Sequence, residues 1–266
     1  QYIFNEACRI GLVDSYTYIG DPAFYDLPVE EMISDEFAAE RAALIDMDNM
    51  QAMESVPLSD LPVTKLEPTA EESQHTTHIA VIDQYGNIVS TTNTLGNGWG
   101  CKFMAPGLGF FYNSHIGNLD HENPDSPDYV MPGKRVRSTI SPSLVLQDGN
   151  PIMAVGSPGS LAIPPAVATI INNVLLYGMN VQQAINEPRA MAINRSGMDS
   201  PARVSIEQPR FDPDLVAQME GIGYEMKDVG EYNMAVGGIA AIYLDRDNGI
   251  FYAGADPRRG YKALAY

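Results

Sequence analysis

The chain has 266 residues, of which 45% are hydrophobic and 19% charged, a composition typical of a globular protein with a sizeable core and not of a disordered one. Its 34 acidic and 16 basic residues give a net charge of −18, which repels phosphate backbones and argues against nucleic acid as a partner. The two cysteines, Cys8 and Cys101, lie too far apart for a CxxC metal site and too few in number for a disulfide framework.

No apolar stretch reaches the roughly 20 residues that a membrane-spanning helix needs, because prolines and asparagines interrupt the longest one, residues 161–177. The first residues lack the features of a secretory signal and read as an amphipathic helix without an initiator methionine. We therefore expect a processed or truncated piece of a longer protein. Its localisation, cytoplasmic or periplasmic and secreted, stays open.

The chain opens with helical periodicity. Ile3, Ala7, Ile10 and Val13 recur near one face, and a Gly-Asp-Pro sequence at residues 20–22 ends the pattern. The sequence therefore predicts an amphipathic first helix whose apolar face carries these four residues.

Two shorter helices and a linker follow. Pro28 precedes acidic residues, as at a helix start, and Ser34 has the character of an N-cap for a helix that runs to Ile45. Residues 46–73 are polar, proline-containing and aperiodic, which predicts a linker or exposed loop.

From residue 76 the pattern becomes that of β-strands. Two strand-like runs flank a turn at residues 84–87, which predicts a β-hairpin, and residues 117–134 have the composition of a long surface loop. Further strands are predicted at 109–112, 143–146, 152–155, 235–244 and 250–253, and helices at 161–177 and 181–187. Helices grouped among central strands indicate a layered α/β structure.

The junction between linker and hairpin carries the most informative sequence, Gln-His-Thr-Thr-His at residues 74–78. A threonine hydroxyl is a weak nucleophile at its own pKa, and a free α-amino group, with a pKa of about 7.7–8.0, can act as its general base. The amine of Thr76 exists only when the peptide bond before it is cut. This layout suits an N-terminal nucleophile.

Four motifs in order resemble the γ-glutamyltranspeptidase family. Residues 76–78 resemble the Thr-Thr-His strand that opens its small subunit, and residues 132–142 resemble its Lys-Arg-Pro-Leu-Ser-Ser-Met-Ser-Pro run. Residues 156–160, Gly-Ser-Pro-Gly-Ser, resemble its Gly-Ser-Pro-Gly-Gly loop, and residues 254–258 resemble its late Asp-Pro-Arg. Each motif alone is weak, but four in the family's order, at family-like spacing, make a strong match. Residues 20–24, Gly-Asp-Pro-Ala-Phe, and the helices after them resemble the end of the family's large subunit, so the resemblance runs through nearly the whole chain.

The resemblance implies a four-layer αββα N-terminal-nucleophile sandwich that is incomplete without a preceding large-subunit segment. It implies self-cleavage between His75 and Thr76, so that residues 1–75 end the large subunit and residues 76–266 form the catalytic small subunit. The partners it implies are this large-subunit segment, in a heterodimer or dimer of heterodimers, and a small-molecule amide or γ-glutamyl substrate. It implies no cofactor.

By the same resemblance, Thr76 is the nucleophile and Thr94 the second threonine that supports it, while the N–H groups of Gly159 and Ser160 form the oxyanion hole. Ser160 replaces a glycine of the family but keeps the N–H. Residues expected at the substrate are Asn97, His115, Asn118, Arg137, Ser138 and Thr139.

Three of these substrate residues depart from the family. Asn118 stands where the family has the carboxylate that holds the substrate's α-amino group, and His115 stands for a Gln or Glu. Arg137 replaces a leucine. These exchanges predict a pocket shifted toward anions, and hence an amidase or acylase for a carboxylate-bearing substrate that lacks the α-amino group, as an alternative to a γ-glutamyl enzyme.

Simpler interpretations stay open. A Thr-Thr pair is common in strands, the run around Thr94 is ordinary strand and turn sequence, and Gly159 with Ser160 can form a turn before a helix. A catalytically silent relative with a structural or binding role is a further alternative. A Gly-x-Ser-x-Gly serine hydrolase is not indicated, and the four histidines lack metal-site spacing.

Overall fold

The structure is a computed structural model that describes residues 1–53, 75–193 and 202–265. In these ranges the helices are α1 (Tyr2–Tyr18), α2 (Val29–Met32), α3 (Asp35–Ala42), α4 (Ile163–Leu175), α5 (Val181–Asn186) and α6 (Pro213–Gly221). The strands are β1 (Thr77–Ile82), β2 (Ile88–Asn93), β3 (Ser143–Gln147), β4 (Asn150–Gly156), β5 (Ala190–Met191), β6 (Arg203–Ile206), β7 (Glu225–Asp228), β8 (Ala240–Asp245) and β9 (Ile250–Ala255). The predicted α/β class is confirmed. Among the described helices, none combines the length and apolarity that crossing a bilayer requires.

The chain packs as two compact units, each drawn from three stretches of sequence. Unit 1 comprises 1–70, 115–138 and 190–228, and unit 2 comprises 71–114, 139–189 and 229–266. This division concerns packing. The predicted division of the polypeptide between residues 75 and 76 is a different boundary, and it stays a prediction.

Unit 1 is built on the sheet β5-β6-β7, in which β6 pairs antiparallel with β5 and parallel with β7. Its buried apolar cluster joins α1, α6 and the sheet through Tyr2, Val204, Ile206, Val216 and Met219. Burial of such side chains contributes about 1.5–3 kcal/mol each relative to exposure. This cluster is the hydrophobic core of the unit.

The buried face of α1 differs from the predicted one. Ile3 is 54% exposed, whereas Glu6 and Arg9 are buried and form an ion pair with a 3.0 Å contact. Tyr224 donates a hydrogen bond to Glu6, and burial together with this carboxylate raises the pKa of Tyr224. The predicted apolar face was therefore wrong, because a paired and hydrogen-bonded charge can be buried where periodicity of apolar residues alone places it outside.

The helices after α1 are close to the prediction. The Ser34 hydroxyl accepts a hydrogen bond from the Phe37 N–H at 3.1 Å, which confirms the N-cap of α3, but this helix ends at Ala42 and not at Ile45. Pro28 is the residue before α2. Residues 46–53 are irregular, as predicted for the linker, and residues 54–73 of that prediction lie outside the described residues.

Unit 2 contains the predicted hairpin and a four-stranded sheet with the order β3-β4-β8-β9. In the hairpin, β1 and β2 pair antiparallel from Thr77 opposite Asn93 to Ile82 opposite Ile88. The hairpin lies on one face of the larger sheet, where the Ser90 hydroxyl donates to the Val155 carbonyl at 3.0 Å.

Helices cover the other face of this sheet. A Cβ atom at Gly254 in β9 would come within 2.6 Å of Ile185 and 2.8 Å of Val181, both in α5, so a glycine is needed for this close approach. α4 contacts both α5 and β4. The described part of unit 2 thus has three layers in the order sheet, sheet, helix, and the outer helical layer of the predicted four stays a prediction.

Several predicted strands were wrong in extent. Residues 109–112 form only an isolated bridge, Phe111 with Met104, because Gly107 and Gly109 adopt positive φ angles that interrupt an extended chain. The strand predicted at 235–244 begins at Ala240, after a 3-10 turn. The sequence analysis missed β5, β6, β7 and α6.

A buried cluster of charged side chains lies next to the end of β9 in unit 2. Asp256 forms ion pairs with Arg189 at 2.7 Å and with Arg258 at 3.1 Å, and all three side chains are at most 1% exposed. Its carboxylate also accepts the main-chain N–H of Ile239 at 2.8 Å. The two arginines thus share one buried carboxylate, that of Asp256.

Candidate active site

The start of the hairpin brings the two predicted catalytic threonines together. The pairing that sets Thr77 opposite Asn93 puts Thr76 opposite Thr94 one residue further on. The Thr76 hydroxyl donates a hydrogen bond to the Thr94 hydroxyl oxygen at 2.9 Å, and this oxygen also accepts the Gly96 N–H at 3.0 Å. Thr76 is only 4% exposed. Its hydroxyl is therefore held in one orientation by a strand register that the sequence itself specifies.

The residue before Thr76 and a glycine after Thr94 pack closely against each other. A Cβ atom at Gly98 would lie 2.7 Å from Nε2 of His75, so the imidazole before the predicted scissile bond rests against this glycine. Asn97 donates its main-chain N–H to the Ser114 hydroxyl at 2.9 Å, and Asn97 itself is exposed. Only a glycine at 98 leaves room for the His75 ring in this arrangement.

His78 is buried beneath the hairpin. The imidazole ring packs so closely on Gly156 that a Cβ atom at that position would lie 2.3 Å from the ring. Its Nδ1 is 2.8 Å from the Thr92 hydroxyl. The main-chain N–H of His78 donates a hydrogen bond to the Tyr261 hydroxyl at 3.0 Å. Burial lowers the pKa of His78 to about 4, since the charged imidazolium loses its hydration. The ring is thus neutral at neutral pH and packs in the interior of unit 2.

The buried neutral His78 makes stability depend on pH. In the unfolded chain the pKa of His78 returns to about 6.5. Between pH 6.5 and pH 4 the unfolded chain therefore binds a proton that the folded chain does not. We expect the free energy of unfolding to fall by about 3 kcal/mol as the pH drops through this window. Urea unfolding at pH 7.5 and at stepwise lower pH measures it.

The matched control for this pH effect is His78→Gln, which removes the titrating ring. Its free energy of unfolding should fall less than that of the wild type over the same pH window, because the carboxylates contribute equally to both. Equal losses in the two proteins would contradict the assignment.

The predicted oxyanion residues form a sharp turn in front of α4. Gly159 has φ 132° and ψ 21°, and Ser160, at φ 54°, adopts a left-handed conformation that non-glycine residues rarely take. The Thr139 hydroxyl donates to the Ser160 carbonyl at 3.0 Å and steadies the turn. A non-glycine residue at positive φ costs on the order of 1–3 kcal/mol and persists where surrounding contacts enforce it.

A pair of glycines, Gly237 and Gly238, packs against the residues that precede Ser160 in this turn. A Cβ atom at Gly159 would lie 3.0 Å from Cα of Gly237, and one at Gly237 would lie 2.8 Å from the Ser157 hydroxyl oxygen. That oxygen accepts the Gly238 N–H at 3.0 Å. Arg189 donates a hydrogen bond to the Gly237 carbonyl at 3.2 Å, so the buried charge cluster contacts the glycine that packs on this turn.

The sequence analysis missed two residues of the C-terminal segment that touch the start of β1. Arg259 donates a hydrogen bond to the main-chain carbonyl of Thr76, and Tyr261 accepts the N–H of His78. The only sequence signal for Arg259 is its place directly after the Asp-Pro-Arg motif at residues 256–258.

The sequence model of the family described as Gamma-glutamyltranspeptidase matches residues 2–266. The chain belongs to the γ-glutamyltranspeptidase family. It is similar to the Glutathione hydrolase proenzyme of Bacillus subtilis (strain 168), with 28% identity over 272 residues that cover 98% of this chain and 44% of the relative. The chain thus spans less than half the length of this relative.

Two solved structures resemble this member of the γ-glutamyltranspeptidase family. The T380A mutant of the Helicobacter pylori γ-glutamyltranspeptidase matches with 29% identity and a TM-score of 0.60, over 69% of this chain and 100% of the compared chain. The cephalosporin acylase from Bacillus halodurans matches with 25% identity and a TM-score of 0.80, over 100% of this chain and 44% of the acylase chain. The likenesses agree with the α/β fold described above.

Among the residues predicted to bind substrate in this γ-glutamyltranspeptidase family member, Arg137 has partners of its own within unit 1. Its guanidinium is 2.7 Å from the Asp128 carboxylate and stacks over the Tyr16 ring at 3.6 Å, and its side chain is 8% exposed. Burial raises the pKa of Asp128 and lowers that of Arg137. These contacts favour a structural role, and binding of a substrate anion by Arg137 stays a prediction.

The remaining predicted substrate residues are nearer the surface. His115 and Asn118 begin and end a 3-10 turn of unit 1, with His115 half-buried and Asn118 exposed. Ser138 is exposed, and Thr139 belongs to unit 2 through its bond to the Ser160 carbonyl. Within the described ranges, no group of three His, Cys, Asp or Glu side chains converges as a metal site.

Proposed function

We propose that the protein is an autoprocessing N-terminal-threonine amidohydrolase or acyltransferase of the γ-glutamyltranspeptidase type. The observation that carries this proposal is the hydrogen bond from the Thr76 hydroxyl to Thr94 at the first residue of the hairpin. A buried, oriented hydroxyl whose own α-nitrogen is masked by a single peptide bond has what an N-terminal nucleophile needs, apart from the cleavage itself.

In the proposed reaction, Oγ1 of Thr76 first attacks the His75 carbonyl carbon, the peptide C–N bond breaks, and the hydroxyl proton passes to the Thr76 nitrogen. Water then hydrolyses the resulting ester, which leaves a carboxylate on His75 and a free α-amino group on Thr76. The neutral amine then takes the hydroxyl proton of Thr76 while Oγ1 bonds to the substrate carbonyl carbon. The ammonium next returns this proton to the leaving nitrogen as the C–N bond breaks, which leaves an ester on Thr76. Water or an amine then attacks the ester by the same proton transfers and releases the acyl group.

The turn at Gly159 and Ser160 supplies the oxyanion hole in this proposal. Negative charge develops on the carbonyl oxygen as the tetrahedral intermediate forms, and main-chain N–H groups at the start of a helix are suited to stabilise it. Removing one such donor typically costs about 2.7–4 kcal/mol of barrier lowering. The positive φ of Ser160, together with the close packing of Gly159 on Gly237, supports a fixed catalytic loop in preference to a plain turn.

We further propose that residues 1–75 and 76–266 are parts of two subunits and that the large subunit begins before this chain. The outer face of the hairpin supports this, since Ile79, Val81 and Val89 are each at least 50% exposed there. Apolar side chains side by side on a strand pair are normally covered. A preceding large-subunit segment that supplies the missing helical layer would cover them, in a heterodimer or a dimer of heterodimers.

The proposed substrate is a γ-glutamyl amide or a related amide that carries a carboxylate. One of the similar proteins is named a glutathione hydrolase and another a cephalosporin acylase. The sequence feature that favours the second is Asn118, because an uncharged amide in place of a carboxylate cannot neutralise the substrate's α-ammonium group. Family membership makes the γ-glutamyl enzyme the first candidate and the acylase the second.

A pair of matched substrates distinguishes the two candidates. The processed full-length protein is assayed with γ-glutamyl-p-nitroanilide and with glutaryl-p-nitroanilide, which differ only in the α-amino group. The γ-glutamyl enzyme should show at least about tenfold higher kcat/KM for the first compound, a difference of about 1.4 kcal/mol. A preference for the glutaryl compound would assign the acylase, and hydrolysis of neither by a permanently uncleaved chain would assign a silent relative.

A further inference from the structure

The C-terminal segment after β9 forms hydrogen bonds with the main chain at the predicted nucleophile. Arg259 donates a hydrogen bond from a guanidinium nitrogen to the Thr76 carbonyl, 183 residues away in sequence, and the Tyr261 hydroxyl accepts the N–H of His78 two residues along β1. Thr76 is thus held at two points: its hydroxyl by Thr94 and its carbonyl by Arg259.

The Arg259 side chain is itself fixed. A Cβ atom at Gly238 would lie 2.4 Å from Cγ of Arg259, so the aliphatic stem rests directly on this glycine. A second guanidinium nitrogen lies 3.3 Å from the sulfur of Met234. The Arg259 N–H donates to the carbonyl of the fully buried Asp256 at 3.0 Å, which anchors the turn that carries it.

We propose that Arg259 is a positioning residue for the nucleophile, and that its fixed positive charge keeps the α-amino group exposed by cleavage in the unprotonated form that acts as base. This inference rests on the proposed function and deepens it. It concerns how the amine is made ready for the reaction, not which substrate is used.

Arg259 can act on the amine because the α-nitrogen and the carbonyl oxygen of Thr76 are separated by few covalent bonds. The α-nitrogen is two bonds from the carbonyl carbon, so a guanidinium bound to the carbonyl oxygen lies within about 5–6 Å of the amine. A like charge at this distance disfavours the ammonium form, by on the order of one pKa unit for a partly solvated site. An amine with an ordinary pKa near 7.7–8.0 would then be about half or more unprotonated at neutral pH.

Other charged or titratable groups face this amine from the surrounding elements. His78, on the same strand, is neutral above about pH 4 because burial lowers its pKa. β2 and β4 carry no ionisable side chain, and in β8 Asp245 lies at the far end, about 16 Å along the strand from Ala240. The C-terminal segment contributes the Asp256–Arg258 pair and Tyr261 besides Arg259. Arg189 shares the Asp256 carboxylate with Arg258, so this buried cluster carries a net charge of +1, of the same sign as the charge of Arg259.

The test compares two substitutions in the full-length protein that contains this chain. Arg259→Met keeps an apolar stem and removes the charge, and Arg259→Lys keeps the charge while changing the hydrogen-bond geometry. For each variant we measure the rate of cleavage before Thr76 by mass spectrometry and the pH dependence of kcat/KM of the cleaved enzyme. We expect the acidic limb of Arg259→Met to move up by about one pH unit, and that of Arg259→Lys to stay within about 0.3 unit of the wild type.

Tyr261→Phe is the matched control, because it removes the neighbouring hydrogen bond to β1 without changing charge. Its acidic limb should not move, even where kcat falls. A loss of fold alone would lower activity equally at every pH, so the position of the limb separates positioning from stability. If Arg259→Lys behaves like Arg259→Met in both measurements, the charge has no part and the inference is wrong. Failure of the proposed function shows itself separately, as a wild-type protein that is never cut before Thr76.

Discussion

A Thr76→Ala variant should remain one uncut chain at this site and lose amide turnover by about 10³-fold or more. The substitution removes the only hydroxyl that Thr94 orients at the hairpin start, and with it both the attacking oxygen of self-cleavage and that of substrate turnover. The measurement is the mass of the purified full-length protein together with initial rates on a γ-glutamyl anilide.

Thr77 offers the matched control for this experiment. It is the next residue, it is also a threonine, and it is exposed on the outer side of β1. Thr77→Ala should be cleaved and should keep its rate within about threefold, because surface substitutions away from special features usually change free energies by less than about 0.5 kcal/mol. Equal loss in both variants would point to damage of the strand and not to removal of a nucleophile.

Asp256→Asn should lower the free energy of unfolding by about 3–5 kcal/mol, the usual cost of removing one partner from a buried ion pair. The two guanidinium groups of Arg189 and Arg258 would remain buried, at most 1% exposed, without their shared carboxylate. Asparagine is close to aspartate in volume, so the effect is one of charge and not of a cavity. Urea unfolding at pH 7.5 measures it.

The control for Asp256→Asn is an exposed ion pair treated in the same way. Glu225 contacts Arg203 at 2.7 Å, and both side chains are more than 40% exposed. Glu225→Gln should change the free energy of unfolding by no more than about 1 kcal/mol, since solvent and salt screen such pairs. Similar costs for the two substitutions would contradict the structural importance assigned to the buried cluster.

The nucleophile hairpin was the part of the fold most open to prediction. Its strands alternate in the expected way around a turn with polar and glycine residues, and a hairpin register follows from the turn. Once the register is known, Thr94 is opposite Thr76 by counting. Before the structure, however, Thr94 was assigned only through the family resemblance, and the register gives the physical reason why it meets Thr76.

Unit 1 was much less open to prediction. Strand β7, Glu225–Asp228, is polar and lies at the edge of its sheet, and β6 is only four residues long, so neither produces a strong period-2 pattern. The burial of Glu6 and Arg9 in α1 depends on Tyr224, more than 200 residues away in sequence. Such contacts override local periodicity because they are made only in the folded chain.

The contact of Arg259 with Thr76 was also invisible to motif and spacing. It joins the last residues of the chain to the start of β1, and it requires Gly238 beneath the arginine stem. Arg137 illustrates the opposite problem. Its place beside Ser138 suggested a pocket residue, yet its side chain pairs with Asp128 and stacks on Tyr16, which lies in the first helix and is distant in sequence.

The central claim is that a backbone break before residue 76 exposes the amine that activates the neighbouring hydroxyl. N-terminal sequencing and intact mass of the purified full-length wild-type protein test it most directly. We expect two polypeptides, one of which begins Thr-Thr-His-Ile at Thr76. A single uncut polypeptide that hydrolyses amides at a normal rate would contradict it.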